Sequence, residues 1–126
     1  MQGEDLPLYE NRVDLTDDGR IRLHYTWTNR GAHGKLMDLL EAALRKQGFD
    51  EFYRVPMPLG AVNHQCGTCR MSTAPTDGVV DVFGRTHDVA NLFIADASFI
   101  PSSGATNPTL TIAAHVLRIA DYLKSE

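Results

Sequence analysis

The densest run of reactive side chains is Asn63-His64-Gln65-Cys66-Gly67-Thr68-Cys69-Arg70-Met71. Three chemistries suit these residue types. Two thiols three positions apart have the spacing of a redox pair, but such a pair works where it opens a helix in a βαβ setting. No helical pattern follows here, since Met71-Ser72-Thr73-Ala74-Pro75 reads as loop. His64, Cys66 and Cys69 supply three possible zinc ligands. A fourth would have to come from His24, His33 or His87, none at a recognisable spacing, and there is no second Cys-x-x-Cys. The third reading makes His64 the working residue and the cysteines small packing groups. Imidazole titrates near neutrality, and free cysteine is commonly buried.

A second place with chemical potential is Asn107. It precedes Pro108 and follows a Ser/Gly/Thr loop, a pattern that predicts the start of a helix. The first N–H groups of a helix lack intrahelical partners and sit at the positive end of its dipole, so they attract anions. Asparagine also serves there simply as a cap. The remaining histidines read as structural: His24 on the polar side of a strand, His33 and His115 on helices, His87 in a loop.

The elements that must position these residues follow from periodicity. Asn11–Leu15 and Arg20–Thr26 read as strands joined by Thr16-Asp17-Asp18-Gly19, where glycine accepts positive φ at little cost. Ile21, Leu23 and Tyr25 alternate with Arg22, His24 and Thr26, which predicts one buried and one wet face. From about Ala32 to Gln47, Leu36, Leu39, Leu40, Ala43 and Leu44 form the stripe of an amphipathic helix, with Gly48 placed to end it. Pro56 and Pro58 exclude regular helix next. Val79–Val82 and Asn91–Ala95 read as short strands. The final helix, from Asn107-Pro108 to about Leu123, is apolar on most sides and so expects cover on most sides.

With 126 residues the chain has one domain's length. A formal net charge of −4 leaves no basic surplus for a phosphate backbone or an anionic membrane surface, so neither nucleic acid nor membrane is expected as a partner. The apolar stretch Leu110–Leu123 is interrupted by His115, Arg118 and Asp121, which no membrane span would carry at that density. Met1–Glu10 is acidic and polar rather than basic and apolar, which is no signal peptide and predicts a cytoplasmic chain. Two cysteines are too few for a disulfide scaffold.

Two blocks in order carry a family likeness. His64-Gln65-Cys66-Gly67-Thr68-Cys69-Arg70-Met71 is followed by Asn91-Leu92-Phe93-Ile94-Ala95-Asp96-Ala97-Ser98, then Pro101 and Asn107-Pro108-Thr109-Leu110-Thr111. With Val80-Asp81, Gly84-Arg85, Asn11-Arg12-Val13 and Arg20-Ile21, they resemble the C-terminal region of the glucose–methanol–choline (GMC) oxidoreductases from about Pro7 to Leu123. The resemblance implies an α+β fold, a substrate-side antiparallel sheet with helices on one face and a return helix that packs into a flavin domain. Residues 1–126 would then be the C-terminal domain, without the FAD-binding domain.

By the same likeness His64 lies at the reactive edge of FAD with Asn107 as its partner. Asp96, Ala97 and the backbone of Asn107, Pro108 and Thr109 would touch the cofactor. The implied reaction is oxidation of a CH–OH group in an alcohol or sugar, with the proton going to histidine and the hydride to the flavin. Asn107 would donate to the developing alkoxide. None of the ten glycines forms Gly-x-Gly-x-x-Gly between strand and helix, so the pyrophosphate site must come from a separate FAD-binding part. The competing expectation is a non-catalytic remnant or interaction module that keeps the fold. Intact His64 and Asn107 favour the enzyme.

Overall fold

The computed structural model describes residues 2–61 and 63–125; Met1, which opens the polar stretch noted above, Val62 and Glu126 lie outside the described residues. Strands β1 (Arg12–Leu15) and β2 (Ile21–His24) form an antiparallel ribbon in the register Arg12↔His24, Val13↔Leu23, Asp14↔Arg22 and Leu15↔Ile21. The turn works as the sequence implies. Gly19 takes φ 78°, its N–H donates to the Thr16 carbonyl at 2.8 Å, and the Thr16 N–H donates to the Arg20 carbonyl at 2.9 Å.

Register decides the faces. Val13, Leu15, Ile21 and Leu23 share one side of the ribbon, and Arg12, Asp14, Arg22 and His24 the other. The polar side is as expected, with the Asp14 carboxylate accepting from Arg22 at 2.8 Å and bonded to His24 Nε2 at 2.9 Å. The apolar side departs from expectation. It is not buried: Ile21 is 79% and Leu15 65% exposed, because no other regular element among the described residues lies in extended contact with the ribbon.

Helix α1 (Arg30–Arg45) starts and stops two residues earlier than the periodicity predicts. Its end is closed by Gly48 at φ 92°, with the Gly48 N–H donating to the Arg45 carbonyl and the Phe49 N–H to the Leu44 carbonyl. These two bonds make a Schellman motif, which a left-handed glycine permits. The chain then folds back, and Arg54 reaches Asp38 at 2.7 Å and Glu41 at 2.6 Å on the helix surface. No described residue of α1 is buried.

Helix α2 (Thr109–Ser125) begins one residue later than predicted. The Pro108 carbonyl accepts its first bond, from the Ile112 N–H at 2.9 Å, so Asn107 lies one position outside the cap. The core sits where α2 crosses the loops before it. Val80, Phe99 and Ile119 are buried, with Thr86 and His115 beside them. Gly84, at φ 73°, lets the backbone pass under α2, since a β-carbon there would stand 2.6 Å from Ile119 Cδ1 and 2.9 Å from the Ile94 carbonyl oxygen. Phe83 stacks on Tyr122 at 4.3 Å, and Phe99 on His115 at 3.9 Å.

The two strands predicted at Val79–Val82 and Asn91–Ala95 do not form as regular strands. Isolated bridges stand in their place, Met71 with Val80, Val80 with Thr86 and Arg85 with Phe93. The glycine turn at Gly84 and the 3-10 turn at Ala97–Phe99 cut each run before a second ladder bond can add. The fold class is nevertheless α+β, a two-stranded antiparallel sheet with two helices.

Candidate active site

The His64–Met71 segment lies along the segment around the 3-10 turn. The Cys69 N–H donates to the Ser98 carbonyl at 3.1 Å and the Met71 N–H to the Phe99 carbonyl at 2.8 Å. Gly67, at φ 87°, faces the carbonyls of Ile100 and Pro101. Two blocks some thirty residues apart in sequence are therefore held together by backbone bonds. Between them Gln65, Thr68, Asp96, Ala97 and Ser98 line an open depression of about 350 Å³.

His64 is half-buried and takes φ 65°, alone in the left-handed region among the described non-glycine residues. Such a conformation costs about 1–3 kcal/mol and persists only where the surroundings over-determine it. Sequence reasoning selected His64 but could not see this, since histidine is merely one of the types that tolerate left-handed backbone. Among the described residues its ring makes no hydrogen bond.

Asp96 lies at the rim of the depression as the cap of the 3-10 turn. Its Oδ1 accepts from the Ser98 hydroxyl at 2.5 Å and from the Ser98 N–H at 2.8 Å. The hydroxyl first, then the backbone donor, hold its carboxyl below the usual carboxylate range. Ala97 is half-buried beside it. Asn107 and Thr109 are exposed and Pro108 half-buried at the start of α2, where the first-turn N–H groups have no intrahelical acceptor. No hydrogen bond joins Asn107 to His64 among the described residues.

Cys66 and Cys69 are free thiols. Burial first, then the charge of Asp5, pushes the Cys66 thiol up, while its bond to Ser103 pulls the other way. A raised thiol is the opposite of what a nucleophilic or metal-binding thiolate needs. His115, read from the sequence as structural on a helix, is buried against Phe99, directly behind the turn that Asp96 caps. Its spacing of four residues from Ile119, on the same helix face, was the available signal.

The fold is α+β, and the His64–Met71 segment is paired through its backbone with the segment around the 3-10 turn. Over residues 7–115 the chain matches the family model of the GMC oxidoreductases. The chain belongs to that family, in its C-terminal region. It is 36% identical to 2-methyl-1,2-propanediol dehydrogenase of Mycolicibacterium austroafricanum over 98% of this chain and 24% of that protein. It is 36% identical to paromamine 6'-oxidase of Streptomyces fradiae over 92% of this chain and 23% of that protein. With the fructose dehydrogenase large subunit of Gluconobacter japonicus it shares 45% identity over 51% of this chain and 12% of the relative. The chain thus spans about a quarter of the length of the first two relatives. None of the described helices is long and apolar enough to cross a membrane.

Proposed function

We propose that residues 1–126 form the C-terminal, substrate-side domain of an FAD-dependent oxidoreductase that acts on a CH–OH group of an alcohol or sugar. Family membership supports the reaction class, and the names of the relatives, a propanediol dehydrogenase and a fructose dehydrogenase among them, support the substrate class. The observation that carries the reading is the backbone pairing of Cys69–Met71 with Ser98–Phe99. It sets the His64 loop against the Asp96–Ala97 turn with one side open.

The residues present fit one edge of FAD. The depression at Gln65, Thr68, Asp96, Ala97 and Ser98 offers a polar margin, and the start of α2 offers outward N–H groups. The sequence has no glycine-rich strand–turn–helix for the pyrophosphate. Asp96, Ala97, Asn107, Pro108 and Thr109 would line the cofactor, which when bound supplies the hydride acceptor. His64 takes the hydroxyl proton on a ring nitrogen that no other described residue engages. The Asn107 amide donates to the substrate oxygen as negative charge builds there. The positive end of α2 would favour the negative charge that the reduced cofactor carries.

The chain also needs cover. It exposes 9491 Å² for 13.9 kDa, whereas a compact monomer of that mass exposes about 6,700 Å². The FAD-binding part is the partner this reading names. Expressed alone, the chain should purify with little or no FAD. Joined to an FAD-binding portion, in one polypeptide or as two chains, it should hold flavin that bleaches when an alcohol or sugar is added. Stoichiometric FAD on the chain alone would overturn the division of labour. A completed protein that binds flavin but oxidises no alcohol or sugar would favour the interaction module.

A further inference from the structure

The N-terminal segment before the family match contains a carboxylate with unusual reach. Asp5 accepts from the Tyr25 hydroxyl at 2.8 Å and from the Thr28 hydroxyl at 2.6 Å, at the end of the ribbon and just ahead of α1. Its own N–H donates to the Ser103 carbonyl at 3.0 Å, an isolated antiparallel bridge. The neighbours reinforce the hold, since the Asn29 amide donates to the Glu4 carbonyl. The same loop lies against the His64 segment, where Gly67, next to Cys66, faces the carbonyls of Ile100 and Pro101. Cys66 is two residues after His64, and Ser103 is four residues before Asn107.

We infer that Asp5 is a positioning residue for the candidate active site, tying the loop that leads to Asn107 to the loop that begins at His64. The inference rests on the proposed roles of His64 and Asn107. On the other side of the same loops the bonds from Cys69 and Met71 to Ser98 and Phe99 already fix Asp96–Ile100. Beyond Pro101 the chain is exposed from Gly104 to Asn107 and has no regular structure until α2. Among the described residues the Asp5–Ser103 bridge is the backbone hold on that stretch, and the carboxylate anchors the bridge to Tyr25 and Thr28. Two hydroxyl donors on one carboxylate fix both the place and the rotation of the segment, and a reacting group displaced by about 1 Å can lose rate roughly a hundredfold.

The test uses the flavoprotein with its FAD-binding part present. Asp5→Ala removes the carboxylate but keeps the backbone N–H, and Asp5→Asn keeps one acceptor. Hydrogen exchange followed by peptide mass should show residues 101–109 exchanging roughly tenfold faster in Asp5→Ala and less so in Asp5→Asn, with α1 unchanged. In the same Asp5→Ala protein kcat should fall roughly tenfold with KM within about threefold, and Asp5→Asn should restore part of it. In an Asn107→Ala background Asp5→Ala should cost less than about twofold more, because the group it positions is gone. Unchanged exchange, or rate losses that add independently, would overturn the inference. If Asn107→Ala is itself silent, the proposed function fails and the positioning role fails with it. Faster exchange would still reveal the tether, so the two failures can be told apart.

Discussion

The ribbon and the loops under α2 treat apolar residues in opposite ways. Beneath α2, Val80, Phe99 and Ile119 close on one another, and a glycine is spent so that the backbone can approach within contact of Ile119. On the ribbon, Val13, Leu15, Ile21 and Leu23 line up on one face and all remain open. Both regions obey the same pattern of apolar and polar residues, and only one finds its cover among the described residues. Amphipathic patterning tells which face wants burial; it does not tell whether the burying surface belongs to the same chain. α2 shows both behaviours at once, with His115 and Ile119 inward and Leu110 85% exposed.

The largest expected effect sets the closed body apart as the seat of chemistry. In the flavoprotein completed with its FAD-binding part, His64→Ala should reduce kcat by roughly 10²–10⁴-fold, the range for a positioned base. Asn107→Ala should cost roughly 10–10³-fold, the loss of one donor to an oxyanion. Both should keep their flavin. His24→Gln and His33→Gln, in the ribbon and α1, should leave kcat within a few fold, about the scatter of remote substitutions. Steady-state kinetics with flavin content measured alongside decides it. Normal turnover in His64→Ala, with a loss in His24→Gln or His33→Gln, would move the chemistry to the other region.

The parts legible in the sequence were those fixed by local physics. Gly19 and Gly48 were read as turn and helix stop, and both hold positive φ with the bonds those motifs require. The stripe from Leu36 to Leu44 marks α1 within two residues. The block from His64 to Met71 was legible as a unit, and the bonds to Ser98 and Phe99 show what holds it. The runs at Val79–Val82 and Asn91–Ala95 misled because β-branched composition favours extended backbone without guaranteeing a ladder partner. Positive φ at His64 leaves no mark in residue type. The open face of the ribbon depends on surfaces that a single chain's pattern does not describe.

A stability contrast between two glycines sharpens the same comparison. Gly84 and Gly19 have φ of 73° and 78°, so alanine meets comparable backbone strain at both. Only at Gly84 would the added carbon strike Ile119 and the Ile94 carbonyl; at Gly19 nothing lies within 4 Å. Gly19→Ala should therefore cost about 1–2 kcal/mol, the left-handed penalty alone. Gly84→Ala should cost about 1–3 kcal/mol more, as overpacking does. Urea unfolding of the completed protein measures both. Equal losses would mean that the body under α2 yields as readily as the ribbon.

The smallest effect belongs to the polar face of the ribbon. Bonding to Arg22 first, and also to His24, holds the Asp14 carboxyl down at about 2, from an ordinary 3.8. A carboxyl lowered by folding contributes stability that is complete above the unfolded pKa and is lost as pH falls through the folded one. The contribution should therefore be whole above about pH 4–5 and gone below about pH 2, by that linkage. The pair is open to water, where screening leaves such contacts weak. The effect should appear as earlier exchange of the β1 and β2 amides between pH 4 and 2, with the loops under α2 unaffected. Asp14→Asn should abolish that pH dependence, and added salt should shrink it in the parent chain. If the ribbon amides keep their protection down to pH 2, or if Asp14→Asn loosens the loops under α2 as much as the ribbon, the two regions are coupled more tightly than their separate packing implies.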